Sequence, residues 1–118
     1  MTYSELRYLN AVDKLTENGG VRQIDLSRFL GVSTVSIYKA MARLEEKNYV
    51  ERNENGLYFL TLPAKEIISE YMTCAKAIEK LLIEKCNSSQ KNAQRDAIAV
   101  TCSLSDENRK SILNLINK

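Results

Sequence analysis

Gly31, standing between two short amphipathic stretches and followed two residues later by the helix-capping Ser33, constrains this chain more than any other feature. A glycine takes a positive φ without a steric penalty, so a helix can stop there and the chain can turn within a few residues. Gly31-Val32-Ser33 therefore reads as the turn of a helix-turn-helix. On its near side a helix over about 25–30 buries Leu26 with Phe29 or Leu30, and Ile24 before it is a poor cap. On its far side Ser33 caps a helix whose inward residues are Ile37, Met41 (or Ala40) and Leu44, ending near Lys47 and Asn48.

The flanking segments complete a module around that turn. Thr2 and Glu5 have capping-box spacing, and Leu6, Leu9, Val12 and Leu15 recur every three residues before Asn18-Gly19-Gly20 ends a first helix. After the helix pair, residues 49–52 and 57–60 are β-prone runs separated by Asn53-Glu54-Asn55-Gly56. Asn-Gly favours a primed hairpin turn, and the hairpin is expected to form a wing.

Pro63 then stands in the first turn of a long helix, with Thr61 or Leu62 at the cap. Its broad apolar face carries Ile67, Ile68, Tyr71, Met72, Ile78, Leu81 and Leu82, and it runs to about Cys86. Asn87-Ser88-Ser89 breaks and recaps the chain. A fifth helix carries residues 97–100, and Ser105 with Asp106 and Glu107 opens a sixth. The expected fold class is mainly α: a winged helix-turn-helix with a two-stranded wing over residues 1–62, then a helical dimerisation domain over 63–118. Ile112, Leu113, Leu115 and Ile116 exceed what one face of a terminal helix buries in a 118-residue monomer, which points to a homodimer.

Composition narrows the function classes. The sequence has no 18-residue apolar run and no signal-peptide pattern at its start, so no membrane span is expected and the location is read as cytoplasmic. Three cysteines, Cys74, Cys86 and Cys102, form no C-x-x-C pair, which argues for reduced thiols over a disulfide framework or a structural zinc site. With no histidine for general-base work and no glycine-rich phosphate loop, an enzyme is not expected.

The net charge of +2 is too small to indicate a nucleic-acid partner, but its distribution is informative. Between residues 22 and 43, Arg22, Arg28, Lys39 and Arg43 face a single acid, Asp25. A third helix that fits the major groove, followed at once by a wing, makes double-stranded DNA the expected partner. The outward side offers Ser33, Thr34, Val35, Ser36, Tyr38 and Lys39, with Arg43 one turn on and Asn55 at the wing tip. Ser33 and Thr34 suit phosphate or base contacts, Val35 a thymine methyl group and Lys39 a guanine edge. Arg22, Arg28, Arg43 and Arg52 are assigned to phosphates. A winged helix acting only as a protein-interaction surface is the alternative.

With those residues in view, the chain resembles the DtxR/MntR family, the diphtheria-toxin-repressor-like and manganese-transport-regulator proteins, in their short two-domain form. The stretches that carry the likeness are "LSRFLGVSTVSIYKAMARLEEKNYVE", similar to the family's helix-turn-helix, "GLYFLTLPAKEI", similar to its wing and linker helix, and "LSDENRKSIL", similar to its last dimerisation helix. Ala64 stands where the family usually has glycine. The resemblance implies a homodimeric repressor or activator, its first helix also contributing to the dimer, with DNA affinity set by Mn²⁺ or Fe²⁺.

The metal part departs from the pattern. At the positions where the family places its acidic and histidine ligands this chain has Arg7, Asn10, Ala75, Ile98, Thr101 and Cys102. Hard divalent ions favour carboxylate and imidazole donors, and none of the six supplies one. A regulator without a metal cofactor is therefore expected. The resemblance brings Cys74 and Cys102 near each other at the junction of the halves. That leaves three readings of Cys102: a thiol sensor, a ligand to a soft ion such as Cu(I) or Zn²⁺, or core filling in a collapsed pocket.

Overall fold

A computed structural model describes residues 1–117. The chain forms α1 (Tyr3–Leu15), α2 (Gln23–Leu30), α3 (Thr34–Glu46), β1 (Val50–Arg52), β2 (Tyr58–Leu60), α4 (Leu62–Cys86), α5 (Gln90–Ser103) and α6 (Asp106–Ile116). Among the described residues it is mainly helical, with one two-stranded antiparallel sheet. Two compact units are present, Ser4–Ile68 and a second that runs from Ser69 and includes Met1–Tyr3; the division falls inside α4.

The first unit is built as its periodicity dictates. Leu6, Leu9 and Val12 of α1, Leu26 and Leu30 of α2, and Ile37, Ala40, Met41 and Leu44 of α3 are all buried. Phe29 is the member of the α2 set that stays out, 54% exposed. Gly31 takes φ 68°, and the Ser27 carbonyl accepts from both Gly31 and Val32 N–H, so α2 ends where the glycine permits. Ser33 then accepts from Ser36 N–H and caps α3.

Two local expectations need correction. Helix α2 begins at Gln23, two residues before the expected Asp25, because its N-cap is Arg22, which makes no side-chain cap bond. The wing turn is not a primed Asn-Gly turn. Gly56 has φ 75° but Asn55 is not among the positive-φ residues, whereas a type I′ turn needs both. Instead Gly56 N–H donates to Asn53 C=O, Asn53 N–H to Leu57 C=O, and Asn53 Oδ1 accepts from Asn55 and Leu57 N–H. This is a three-residue hairpin loop with glycine at its left-handed position. The strands pair Val50 with Leu60, Glu51 with Phe59 and Arg52 with Tyr58.

The backbone before α2 also joins the wing. Val21 and Tyr58 exchange N–H···O bonds of 2.8 and 2.9 Å, which extends the hairpin by one isolated bridge. Gly20 permits that approach: a Cβ there would lie 2.7 Å from Leu57 Cβ and from the Tyr58 carbonyl oxygen.

The Thr61 hydroxyl accepts from Ala64 N–H, 3.3 Å, and caps α4 with Pro63 in the first turn. In the second unit the break between α4 and α5 is made by Asn87 at φ 54° and by Ser88 N–H bonding back to Leu82 C=O. Ser89 and Ser105 cap α5 and α6. Tyr71, Cys74, Ala75, Ala93 and Ala97 are buried, and so are Thr101 and Arg109. On α6 Leu115 and Ile116 remain 71% and 43% exposed.

Candidate nucleic-acid interface

The inward residues of α3 fix which of its sides faces solvent. With Ile37, Ala40, Met41 and Leu44 buried, Thr34, Val35, Ser36, Tyr38, Lys39 and Arg43 all lie exposed, with Ser33 at the cap. Val35 and Tyr38, at 61% and 57% exposure, are large apolar surfaces with no covering element in the unit. The Ser33 and Ser36 hydroxyls lie 3.0 Å apart in a hydrogen bond, so both belong to the cap as well as to the exposed surface.

The four arginines assigned to phosphates fall into different environments. Arg22 is held by Asp25 through two bonds, Nε to Oδ2 at 2.8 Å and Nη2 to Oδ1 at 3.1 Å. The hydrogen bond from Arg22 holds the Asp25 carboxyl below its ordinary value, so the pair stays ionised and much of the Arg22 charge is locally balanced. Arg28 and Arg43 are exposed in the last turns of their helices.

Arg52 sits at the end of β1, on the same strand face as Val50, and its guanidinium carbon lies 4.5 Å from the centre of the Tyr58 ring. Tyr58 itself is 1% exposed, and burial pushes its hydroxyl above the usual phenol value against the opposing pull of Arg52. Asn55 is exposed at the tip of the hairpin, its N–H turned back onto Asn53 Oδ1.

One residue of this surface was not foreseen. The Gln23 amide donates through Nε2 to the Thr34 carbonyl at 2.9 Å and accepts at Oε1 from Arg52 Nη2 at 3.5 Å. It touches both the first residue of α3 and the wing arginine. No sequence signal marks it, because the contact depends on the Val21 and Tyr58 pairing that places two distant segments together.

The positions aligned with the family's metal ligands do not fit a hard divalent cation. In the first unit Arg7 donates to the Leu30 carbonyl at 3.0 Å and adds a positive charge, and Asn10 carries only a neutral amide. In the second unit Ala75 and Ile98 have no donor atom, and Thr101 is 0% exposed with its hydroxyl given to the Ala97 carbonyl at 2.7 Å. Cys102 is half-buried on α5, and Cys74 is fully buried on α4. Among the described residues, no three His, Cys, Asp or Glu side chains group as a metal site would require.

This arrangement, a helix-turn-helix with a hairpin wing followed by a long helix and two further helices, is a winged-helix fold with a helical extension. By structure the chain is similar to the manganese regulator SloR, with a TM-score of 0.81 at 19% identity over 99% of this chain and 55% of that one. It is similar to the metal-dependent transcriptional regulator MtsR, with a TM-score of 0.81 at 14% identity over 99% of this chain and 55% of that one. A hypothetical protein from Sulfolobus solfataricus is matched at a TM-score of 0.78 and 19% identity, over 98% of this chain and 89% of that one. The chain thus spans about half the length of the two named regulators, and at these identities the likeness is one of fold. No family model and no curated protein matches the sequence.

Proposed function

We propose that this chain is a homodimeric, sequence-specific DNA-binding transcription regulator that works without Mn²⁺ or Fe²⁺. The observation that carries the reading is the single exposed surface formed by α3 and the wing: Thr34, Val35, Tyr38, Lys39 and Arg43 on the helix, with Arg52 linked to its first turn through Gln23. A helix of this length and polarity enters a major groove, and a cation on the wing reaches the flanking backbone. The fold shared with transcriptional regulators supports the same assignment.

Dimer formation is supported by α6, whose Leu115 and Ile116 stay exposed in the single chain. A two-fold dimer places its half-sites about one helical turn (~34 Å) or a multiple apart, so the operator is expected to be a pseudo-palindrome. The metal independence rests on the donor chemistry of Arg7, Asn10, Ala75, Ile98, Thr101 and Cys102.

Selection of bound duplexes from a random pool, followed by titration of the winner, tests the reading. Arg43→Ala is expected to weaken binding about equally on all sequences, and Lys39→Ala to relax preference at one base pair. If both variants bind as the parent does with an unchanged salt slope, α3 is not the reading helix. A parent with no salt-dependent affinity for any duplex would instead favour a protein-interaction module.

A further inference from the structure

Gln23 is placed by backbone, not by its own side chain. The paired N–H···O bonds between Val21 and Tyr58 fix the chain two residues before it, and α2 holds it from the other side. Its amide orientation is set by chemistry, since Thr34 C=O can only accept and the Arg52 guanidinium can only donate. Exchanging the amide N and O would put oxygen against oxygen and N–H against N–H. The side chain therefore works as a two-ended bridge.

Arg52 is the residue that the bridge holds. Its guanidinium is stacked on a Tyr58 ring that burial immobilises, and its Nη2 reaches Gln23 Oε1 through a long, exposed hydrogen bond of 3.5 Å. Among the described residues no carboxylate forms an ion pair with Arg52, in contrast to Arg22 and its two bonds to Asp25. A cation with its rotamers restrained and its charge unspent is suited to receive a phosphate oxygen. Less conformational freedom is then lost on binding.

We propose that Gln23 is a positioning residue for DNA binding: it fixes Arg52 relative to the first turn of α3, so that wing and reading helix meet the duplex backbone as one preset surface. The inference rests on the DNA-binding reading above and adds to it the residue that couples the two contact elements.

The test uses the full chain, a duplex selected from a random pool, and Gln23→Met, Arg52→Met and the double variant, titrated over a salt series. Methionine keeps the length of glutamine and removes both hydrogen bonds. Arg52→Met is expected to weaken binding about tenfold on every duplex and to lower the salt slope by about one. Gln23→Met is expected to weaken it about three- to fivefold with an unchanged melting temperature, and the double variant to bind no more weakly than Arg52→Met alone. Independent, multiplying losses in the double variant, or parental affinity in Gln23→Met, would overturn the positioning role while leaving DNA binding intact. A parent that binds no duplex overturns both readings together.

Discussion

The guanidinium carbon of Arg109 lies 4.2 Å from the centre of the Tyr71 ring, in the unit that runs from Ser69. Arg109 is 6% exposed; its Nη2 donates to Asp106 Oδ1, and its Nε, 3.5 Å from Glu70 Oε1, has no hydrogen bond. A charge is thus carried in the interior by one close carboxylate, one looser carboxylate and an aromatic face. It joins α6 to α4 by side chains that a purely apolar seam would lack. Arg109→Ala is expected to cost about 1–3 kcal/mol, because it removes the packing of the stem on Tyr71 along with the charge contacts. Arg109→Met should recover part of that loss, which urea unfolding measures. Equal stabilities for alanine, methionine and parent would contradict the packing described.

The aspartates paired with arginine give the stability a defined acid limb. A hydrogen bond from Arg109, and then its charge, hold the Asp106 carboxyl below its ordinary value of 3.8, and the bond from Arg22 does the same for Asp25. A carboxyl whose folded pKa is depressed stabilises the fold above its unfolded value, and that contribution is lost as pH falls through 3.8 toward the folded value. Unfolding free energy should therefore be flat near neutrality and fall at acid pH. Asp106→Asn and Asp25→Asn should each flatten the acid limb, and urea titrations from neutral pH to about pH 3 would read it. Both side chains reach solvent, so the effect of each is expected to be small.

Gly20→Ala should destabilise the first unit. The new methyl would stand 2.7 Å from the Tyr58 carbonyl oxygen, a backbone atom that is itself bonded to Val21 N–H, so the clash cannot be relieved by rotating a side chain. Overpacking of this kind costs about 1–3 kcal/mol. Because the displaced atoms belong to the wing strand under Arg52, DNA affinity should fall with stability. Parental melting temperature in Gly20→Ala would show that the hairpin sits farther from the α1–α2 connection than described.

What could be read in the sequence depended on whether a residue acts through its neighbours in the chain. Ser33, Ser89 and Ser105 cap their helices by bonding N–H groups three residues ahead, and Gly31 and Asn87 end helices by their own φ, so these boundaries were legible. The start of α2 was not, because Arg22 caps without a side-chain bond and leaves no local mark. The wing turn was misread for a related reason: Asn55-Gly56 has the composition of a two-residue turn, but Asn53 Oδ1 takes both nearby N–H groups and stabilises a longer loop. Gln23 and Arg109 acquire their roles from residues 29 and 39 positions away or across a helix pair, and a glutamine or arginine in a helix otherwise reads as solvated surface.

The cysteines provide the last test, because they decide whether a thiol sensor stands at a position aligned with the resembled family's metal ligands. Cys102 stands where the resembled family has a metal-binding histidine, and it is half-buried on α5. Its neighbour along the helix, Thr101, has its hydroxyl committed to Ala97, and Ile98 one turn earlier has no donor atom at all. Cys74 is 0% exposed beside Ala75, a setting in which a thiol behaves as a small apolar group. Among the described residues no set of three ligands gathers at either sulfur to hold a soft ion, and the Cys74 thiol, at 0% exposure, is shielded from oxidants. Cys102→Ala and Cys74→Ser are therefore expected to keep DNA affinity within about threefold, the serine lowering stability by about 1 kcal/mol through its buried hydroxyl. Addition of Mn²⁺ or Fe²⁺, or of EDTA, should leave the affinity of the parent unchanged. A metal-dependent gain in affinity that disappears in Cys102→Ala would instead place a sensor at this thiol and overturn the core-filling role.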